Sequence, residues 1–373
     1  MGDNVKRLAI LGSTGSIGQQ TLEVVRSFPN KFQVMGLAAG RNLELLAKQI
    51  GQFQPKLVSI GLADWLPSSK CELLSLEEMV SHPDVDLVVV AVTGKAALAP
   101  TLEAIRAKKS IALATKEVLV MAGEIVISEA KRHGAQILPI DSEPSAIWQC
   151  LRGEEGGVSR LILTASGGPF QHLSPDALAK VTPQQALNHP TWKMGEKVTI
   201  DSATLINKGF EVIEAHWLFD TPLEKIEVVI HPQSIVHSFV EFVDGSIKAQ
   251  LSLPDMRLPI QYALFYPERA PNELSRLDFS NIGALTFEAP DLERFPCLRL
   301  ALEAGRKKGT YPTVLSAADE VAVELFLQRR IGFLDIAKLV AEALEQHQST
   351  PCPSLQEVLA ADAWARGRIG VRG

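Results

Sequence analysis

Between Arg7 and Ile140 the sequence alternates short apolar runs with amphipathic stretches, and no other feature constrains the fold as tightly. The apolar runs cover residues 8–11, 32–37, 56–60, 87–92, 111–114 and 137–140; helical periodicity covers 19–27, 43–50 and 98–108. Runs of β-branched residues without polar alternation belong to strands buried on both faces, and parallel sheets bury both faces because crossover helices cover them. The spacing therefore predicts a doubly wound parallel α/β sheet over residues 1–150. After Gly153-Glu-Glu-Gly-Gly157 the pattern changes. A strand over 160–164, one helix over 201–219, a strand over 226–230 and a hairpin over 239–251 turning at Asp244-Gly245 predict an α+β unit spanning 151–270. Residues 271–296 read as a connecting segment, and 297–373 as a small helical bundle broken at Pro312, Gly332 and Pro351-Cys-Pro353.

Composition narrows the classes of partner. A net charge of −6 gives no general electrostatic attraction for nucleic acid or an anionic membrane, so an anion site has to be local. No apolar run reaches the ~20 residues that a membrane span needs. Cys71, Cys150, Cys297 and Cys352 are far apart and form no CxxC pair, which fits reduced thiols better than zinc or a redox motif. The first residues run straight into the first strand without a leader pattern, and a cytoplasmic location is expected.

The first strand ends in Gly12-Ser-Thr-Gly15-Ser-Ile-Gly18 and a helix follows. Glycines in such a turn let backbone N–H groups approach a pyrophosphate at a helix N-terminus, so the unit reads as Rossmann-like. The spacing is GxxGxxG instead of the commoner GxGxxG. At the end of the second strand, where an NAD site places an acid for the ribose hydroxyl, stands Ala38-Ala-Gly-Arg41-Asn42. An acid is absent and Arg41 can pair with a 2′-phosphate, which favours NADP over NAD.

At the carboxyl end of the 137–140 strand, Asp141-Ser142-Glu143 offers two hard oxygen ligands suited to Mg²⁺ or Mn²⁺. In an extended segment residues i and i+2 share a face, so the two carboxylates are expected to converge with Ser142 pointing away. On the helix predicted after Asp201, residues 207, 208, 211 and 214 occupy neighbouring faces and offer amide, ammonium and carboxylate to one ligand. Thr164-Ala-Ser166-Gly-Gly168 is a second small-residue turn suited to phosphate. His189-Pro-Thr-Trp192-Lys-Met194-Gly195, within residues 186–198, has the composition of a lid that excludes water; a surface loop packing its own Trp is the competing reading.

Together these segments resemble the 1-deoxy-D-xylulose 5-phosphate reductoisomerase family over essentially the whole chain. The motifs are GSTGSIG at 12–18, LATKE at 113–117, IDSE at 140–143, TASGGPF at 164–170, HPTWKMG at 189–195, IDSATLINKGFEVIEA at 200–215, HPQSIVHS at 231–238 and PDMRLPI at 254–260. The resemblance implies an NADPH domain, a catalytic domain and a helical bundle in a homodimer of V-shaped subunits. It implies NADPH- and metal-dependent isomerisation and reduction of 1-deoxy-D-xylulose 5-phosphate to 2-C-methyl-D-erythritol 4-phosphate, and binding of fosmidomycin-like phosphonates. Its ligands for Mg²⁺, Mn²⁺ or Co²⁺ fall on Asp141, Glu143 and Glu211. Its phosphate contacts fall on Ser166, Ser202, Asn207 and Lys208 with His189 beside them, and its sugar contacts on Lys116, Ser142 and Glu143. Gly12, Thr14, Gly15, Ser16, Ile17, Gly40, Arg41, Asn42, Thr115, Glu117 and Gly195 would hold NADPH, with Met256 near the nicotinamide and Trp192 and Met194 in the lid. His231, Ser234 and His237 match a further motif that looks structural or looks to support the site residues from behind. This chain has Thr115, Ser316 and Asp319 where the family usually has Asn, and Pro144 where it has His. An NADP-dependent dehydrogenase sharing the Rossmann half and a non-enzymatic NADP sensor are the rival readings. The NKGFEVIEA helix at 207–215 and the HPTWKMG loop at 189–195 argue against the first, and the second would need neither Lys208 nor three converging carboxylates.

Overall fold

The apolar runs of the N-terminal third become the strands β1 (Lys6–Leu11), β2 (Phe32–Ala39), β3 (Leu57–Ile60), β4 (Glu72–Leu73), β5 (Leu87–Val90), β6 (Ser110–Leu113) and β7 (Ile137–Pro139). They form one parallel sheet in the order β4-β3-β2-β1-β5-β6-β7. The chain winds outward from β1 to β4, then restarts beside β1 and winds the other way, which leaves a crevice at the carboxyl ends of β1 and β5. Helices α1 (Ser16–Ser27), α2 (Leu43–Phe53), α3 (Leu76–Ser81), α4 (Leu98–Arg106) and α5 (Glu117–His133) alternate with these strands. Val88, Val89 and Val90 are wholly buried, as two covered faces require. The computed structural model describes residues 5–61, 71–192 and 194–370, so Lys193 of the HPTWKMG segment and the first four residues lie outside it.

The chain divides into two compact units. The first holds Met1–Val118, Val126–Ser145 and Asp255–Leu274; the second holds Leu119–Ile125, Ala146–Pro254 and Ser275–Gly373. Helix α6 (Ser142–Leu151) starts in the first and continues into the second. Here the structure corrects the expected extended Asp141-Ser142-Glu143. Asp141 precedes the helix and its carbonyl accepts from Ser145 N–H at 2.8 Å, while Glu143 and Pro144 lie in the first turn. Proline is tolerated there because first-turn N–H groups need no intrahelical partner.

The second unit carries β8 (Val158–Ala165), β9 (Ile226–Ile230), β10 (Val236–Phe242) and β11 (Ile247–Leu251) in the order β11-β10-β8-β9, with only β8 and β9 parallel. Before β9 come the short α7 (Pro175–Leu178) and α8 (Pro183–Ala186), then α9 (Glu196–Thr204) and α10 (Ile206–Phe219). The single helix expected over 201–219 is thus two helices, separated at Leu205, which takes a left-handed φ of 63°. A leucine accepts that conformation because its side chain is 3% exposed and packs in the core, so tertiary burial overrides local preference.

Helix α10 is apolar on two sides. Val212 and Ala215 pack with Leu161, Leu163 and Val240 of the sheet, whereas Phe210 and Ile213 pack with the C-terminal helices. Those helices are α13 (Pro296–Lys307), α14 (Tyr311–Leu327), α15 (Phe333–Gln346) and α16 (Leu355–Gly370), as the bundle pattern predicted. Gly209 permits the close crossing of α10 and α13, since a Cβ there would stand 2.2 Å from Ala301 Cβ. Between the sheet and the bundle in sequence, α11 (Arg257–Phe265) returns to the first unit and sets Phe265 edge-on to Phe28 and Phe32. The segment after it holds only the short α12 (Phe279–Ile282) and a bridge from Ile230 to Glu288.

Candidate active site

In the first unit the glycine turn sits at the β1/β5 crevice. Gly12 has φ +83°, and a Cβ there would meet Ala91 O at 2.4 Å, so only glycine fits. Gly15 caps α1 without any side-chain hydrogen bond, which leaves the helix start beside Thr14, Ser16 and Ile17 suited to an anion. Beyond β2, Gly40, Arg41 and Asn42 are exposed, and Asn42 Oδ1 accepts from Leu45 N–H at 3.1 Å to start α2. Thr115 is buried and its hydroxyl donates to Val92 O at 2.6 Å, so its proton is committed to the chain.

Lys116 precedes α5, whose first turn holds Glu117, and Lys116 Nζ lies 2.6 Å from Asp141 Oδ2 with both side chains largely buried. Ser142 does not point away from its neighbours, as the extended reading had it; its hydroxyl donates to Glu143 Oε2 at 2.6 Å. Met256 stands at the start of α11.

In the second unit the turn after β8 meets the loop before α9. His189 Nε2 lies 3.0 Å from Ser166 Oγ and 3.1 Å from Ser202 Oγ. Its Nδ1 accepts from the N–H groups of Thr191 and Trp192 at 3.1 and 2.9 Å, which places the ring proton on Nε2. Burial lowers the His189 pKa to about 4, so the imidazole is neutral at pH 7 and serves as a donor instead of a cation. Trp192 lies with its ring 6.1 Å from that of His237, and Gly195 caps α9.

One helix on, Asn207 Nδ2 donates to Glu211 Oε1 at 2.6 Å and the Lys208 ammonium pairs with Glu211 Oε2. Lys208 and Glu211 are 4% and 1% exposed, and Glu214 is wholly buried. His231 is also buried, with Nδ1 on Thr286 O at 2.9 Å and Nε2 accepting from Ile235 and Val236 N–H, a brace for the connecting segment. His237 Nε2 is held by Ser252 Oγ at 2.8 Å. Ser234 takes φ +51°, and its buried Oγ has no hydrogen-bond partner among the described residues, so it is less plainly structural than its two histidine neighbours.

The sequence reading missed an anchor for α9. Lys197 Nζ lies 2.5 Å from Asp201 Oδ2 and 3.1 Å from Asp319 Oδ2, joining α9 to α14. The i,i+4 spacing of Lys197 and Asp201 was the available signal; the distant Asp319 had none.

The donor chemistry suits a divalent cation and a nucleotide. Half-buried Asp141 and buried Glu211 are carboxylates that each face an ammonium and present hard oxygens. The glycine turn supplies an uncapped helix start and Arg41 an exposed cation.

Comparison with known proteins gives one answer along the chain. Residues 8–123 match the family described as 1-deoxy-D-xylulose 5-phosphate reductoisomerase, 137–219 its C-terminal domain, and 251–368 the DXP reductoisomerase C-terminal domain. A 1-deoxy-D-xylulose 5-phosphate reductoisomerase of Pelotomaculum thermopropionicum is 54% identical over 99% of this chain and 98% of its own. That of Caldanaerobacter subterraneus subsp. tengcongensis is 55% identical over 98% of each. Among solved structures, a DOX-P reductoisomerase in complex with NADPH, fosmidomycin and magnesium superposes with a TM-score of 0.93, at 40% identity over 99% of this chain and 98% of that one. The Zymomonas mobilis enzyme in complex with NADPH gives 0.90, at 42% identity over 99% of each.

Proposed function

Because the chain belongs to the 1-deoxy-D-xylulose 5-phosphate reductoisomerase family, we infer that it converts 1-deoxy-D-xylulose 5-phosphate to 2-C-methyl-D-erythritol 4-phosphate in isoprenoid precursor biosynthesis. It is an NADPH- and divalent-metal-dependent oxidoreductase, and phosphonates of the fosmidomycin type bind it. When bound, the divalent ion supplies Lewis acidity toward a vicinal hydroxy-ketone and NADPH supplies the hydride.

The residue assignments are our proposal. Asp141, Glu143 and Glu211 hold the ion, as Mg²⁺, Mn²⁺ or Co²⁺. Ser166, Ser202, Asn207 and Lys208 bind the substrate phosphate, with His189 donating through Nε2 as a neutral group. Lys116 and Ser142 orient the sugar backbone beside Glu143. Thr14 to Ile17, Gly40 to Asn42, Glu117, Gly195 and Met256 hold NADPH; Thr115 contributes only acceptor capacity, since its proton is on Val92 O. Trp192 and Met194 cover the substrate and exclude water. Phosphate binding at a point remote from the reacting carbons supplies the energy that orients them.

The observation that supports these assignments most directly is the bonding of Asn207 and Lys208 to Glu211 within one turn of α10, which puts an amide and an ammonium beside a carboxylate. The decisive experiment is NADPH consumption with 1-deoxy-D-xylulose 5-phosphate, abolished by a chelator and restored by Mn²⁺. Full turnover in excess chelator overturns the reading.

We further propose a homodimer. Strand β11 is an edge of its sheet, and the adjoining Val243 and Ile247 are 76% and 52% exposed, a surface that a second copy would cover. Sedimentation at micromolar concentration tests it; a monomer rejects it. Among the described residues no helix is long and apolar enough to cross a membrane, and we place the enzyme in the cytoplasm.

A further inference from the structure

Ser13 lies between Gly12 and Thr14, both assigned to the cofactor, and is itself wholly buried. Every polar group it has is bound to the strand and helix that follow the turn. Its N–H donates to Ala38 O, at the end of β2, at 2.9 Å. Its hydroxyl donates to Gln49 Oε1 at 2.7 Å, and its carbonyl accepts from Gln49 Nε2 at 2.8 Å. Gln49 is 5% exposed, so neither bond to it competes with water.

Gln49 stands on α2 two turns beyond Asn42, which caps that helix directly after Arg41. A helix advances 1.5 Å per residue and is stiff over so short a length, so the cap lies about 10 Å from Gln49 along the axis. The Ser13–Gln49 pair therefore fixes the separation between the turn that takes the pyrophosphate and the arm that takes the 2′-phosphate.

We propose that Gln49 is a positioning residue for cofactor preference: by riveting α2 to Ser13 it sets Arg41 where the 2′-phosphate arrives once the pyrophosphate is seated on residues 14–17. This rests on the NADPH assignments above. A purely structural amide predicts something different. Its loss would lower stability and weaken NADPH and NADH alike, because both cofactors share the pyrophosphate turn.

The test is calorimetric titration of the full chain with NADPH and, separately, NADH, together with thermal melting. In Gln49→Leu the NADPH Kd should rise about tenfold or more, as expected when two buried hydrogen bonds are lost, while the NADH Kd moves much less. Ser13→Ala deletes only the hydroxyl and should give a smaller narrowing of the same preference; it carries the test should Gln49→Leu fail to fold. Mn²⁺ affinity should be unchanged in both. An unaltered NADPH to NADH ratio in these variants, whether neither cofactor weakens or both weaken equally, overturns the proposal. Arg41→Ala separates the two levels. If it leaves the preference intact, the reading of the arm falls and this proposal with it; if it abolishes the preference while the Ser13 and Gln49 variants do not, the proposal alone fails.

Discussion

Around Gly12–Ile17 the groups proposed to face a ligand belong to the backbone, and buried neutral hydrogen bonds hold that backbone in place. Around Asn207–Glu211 they belong to side chains, and these are bonded to one another through charge. The first arrangement depends on local geometry, since a turn with φ +83° and a carbonyl 2.4 Å from a would-be Cβ admits one residue type. The second depends on balance, because a buried carboxylate and a buried ammonium are each tolerable only beside the other. A substitution in the turn therefore distorts a shape, whereas one on α10 leaves a charge uncompensated.

The sharpest break in this comparison is expected from Glu211→Gln, which removes a proposed anionic metal ligand while keeping shape. It should lower kcat/KM about a thousandfold, equivalent to roughly 4 kcal/mol of lost transition-state stabilisation, with NADPH affinity unchanged. A variant that retains wild-type turnover would remove Glu211 from the metal set. Next comes Lys208→Met, which strands the Glu211 carboxylate and should cost about 3 kcal/mol of stability in urea unfolding. Adding Glu211→Gln should restore most of that stability without restoring activity; no recovery in the double variant would show that the pair is not balancing charge.

Gly12→Ala tests the other side. Strain at a positive φ and the Ala91 carbonyl should together cost about 2 kcal/mol and weaken NADPH, leaving Mn²⁺ affinity untouched. Equal NADPH binding in wild type and variant would contradict the turn geometry. The last effect, visible only as pH is lowered, concerns His189. Its pKa is about 4 in the folded chain against 6.5 for an ordinary histidine, so between those values the unfolded chain binds more protons. Stability should be complete above pH 6.5 and decline as pH falls toward 4, and His189→Asn should flatten that slope. An unchanged slope would mean that His189 titrates alike in the folded and unfolded chain.

The same contrast explains what could be read from the sequence. Glycines at 12, 15 and 18 after an apolar strand announce a turn because backbone constraints are local. The parallel sheet was legible for a related reason, since burial on both faces removes polar alternation strand by strand. The break at Leu205 was not legible. Nothing in Ala203-Thr-Leu-Ile-Asn207 disfavours a continuous helix, and the left-handed residue is held by packing from elements far away in sequence. For Asp141-Ser-Glu-Pro144 a signal existed, since an Asp followed within a turn by proline marks a helix start, and the period-2 reading overlooked it. The residues of the proposed site were recognisable as types and motifs, and the i,i+4 spacing of Asn207 and Glu211 placed them on neighbouring faces, but the bonding of Lys116 to Asp141 follows from side-chain geometry that spacing does not fix.

The three bonds of Ser13 also bear on how such a chain can drift. A serine whose hydroxyl and carbonyl both depend on one distant amide cannot change alone without orphaning a buried group, nor can Gln49. Positions 13 and 49, 36 residues apart, are thus expected to behave as a single heritable unit, replaced together or retained together. A shift of cofactor preference is therefore expected to begin at Arg41, whose exposed side chain can vary without cost to the fold, while the buried pair resists change.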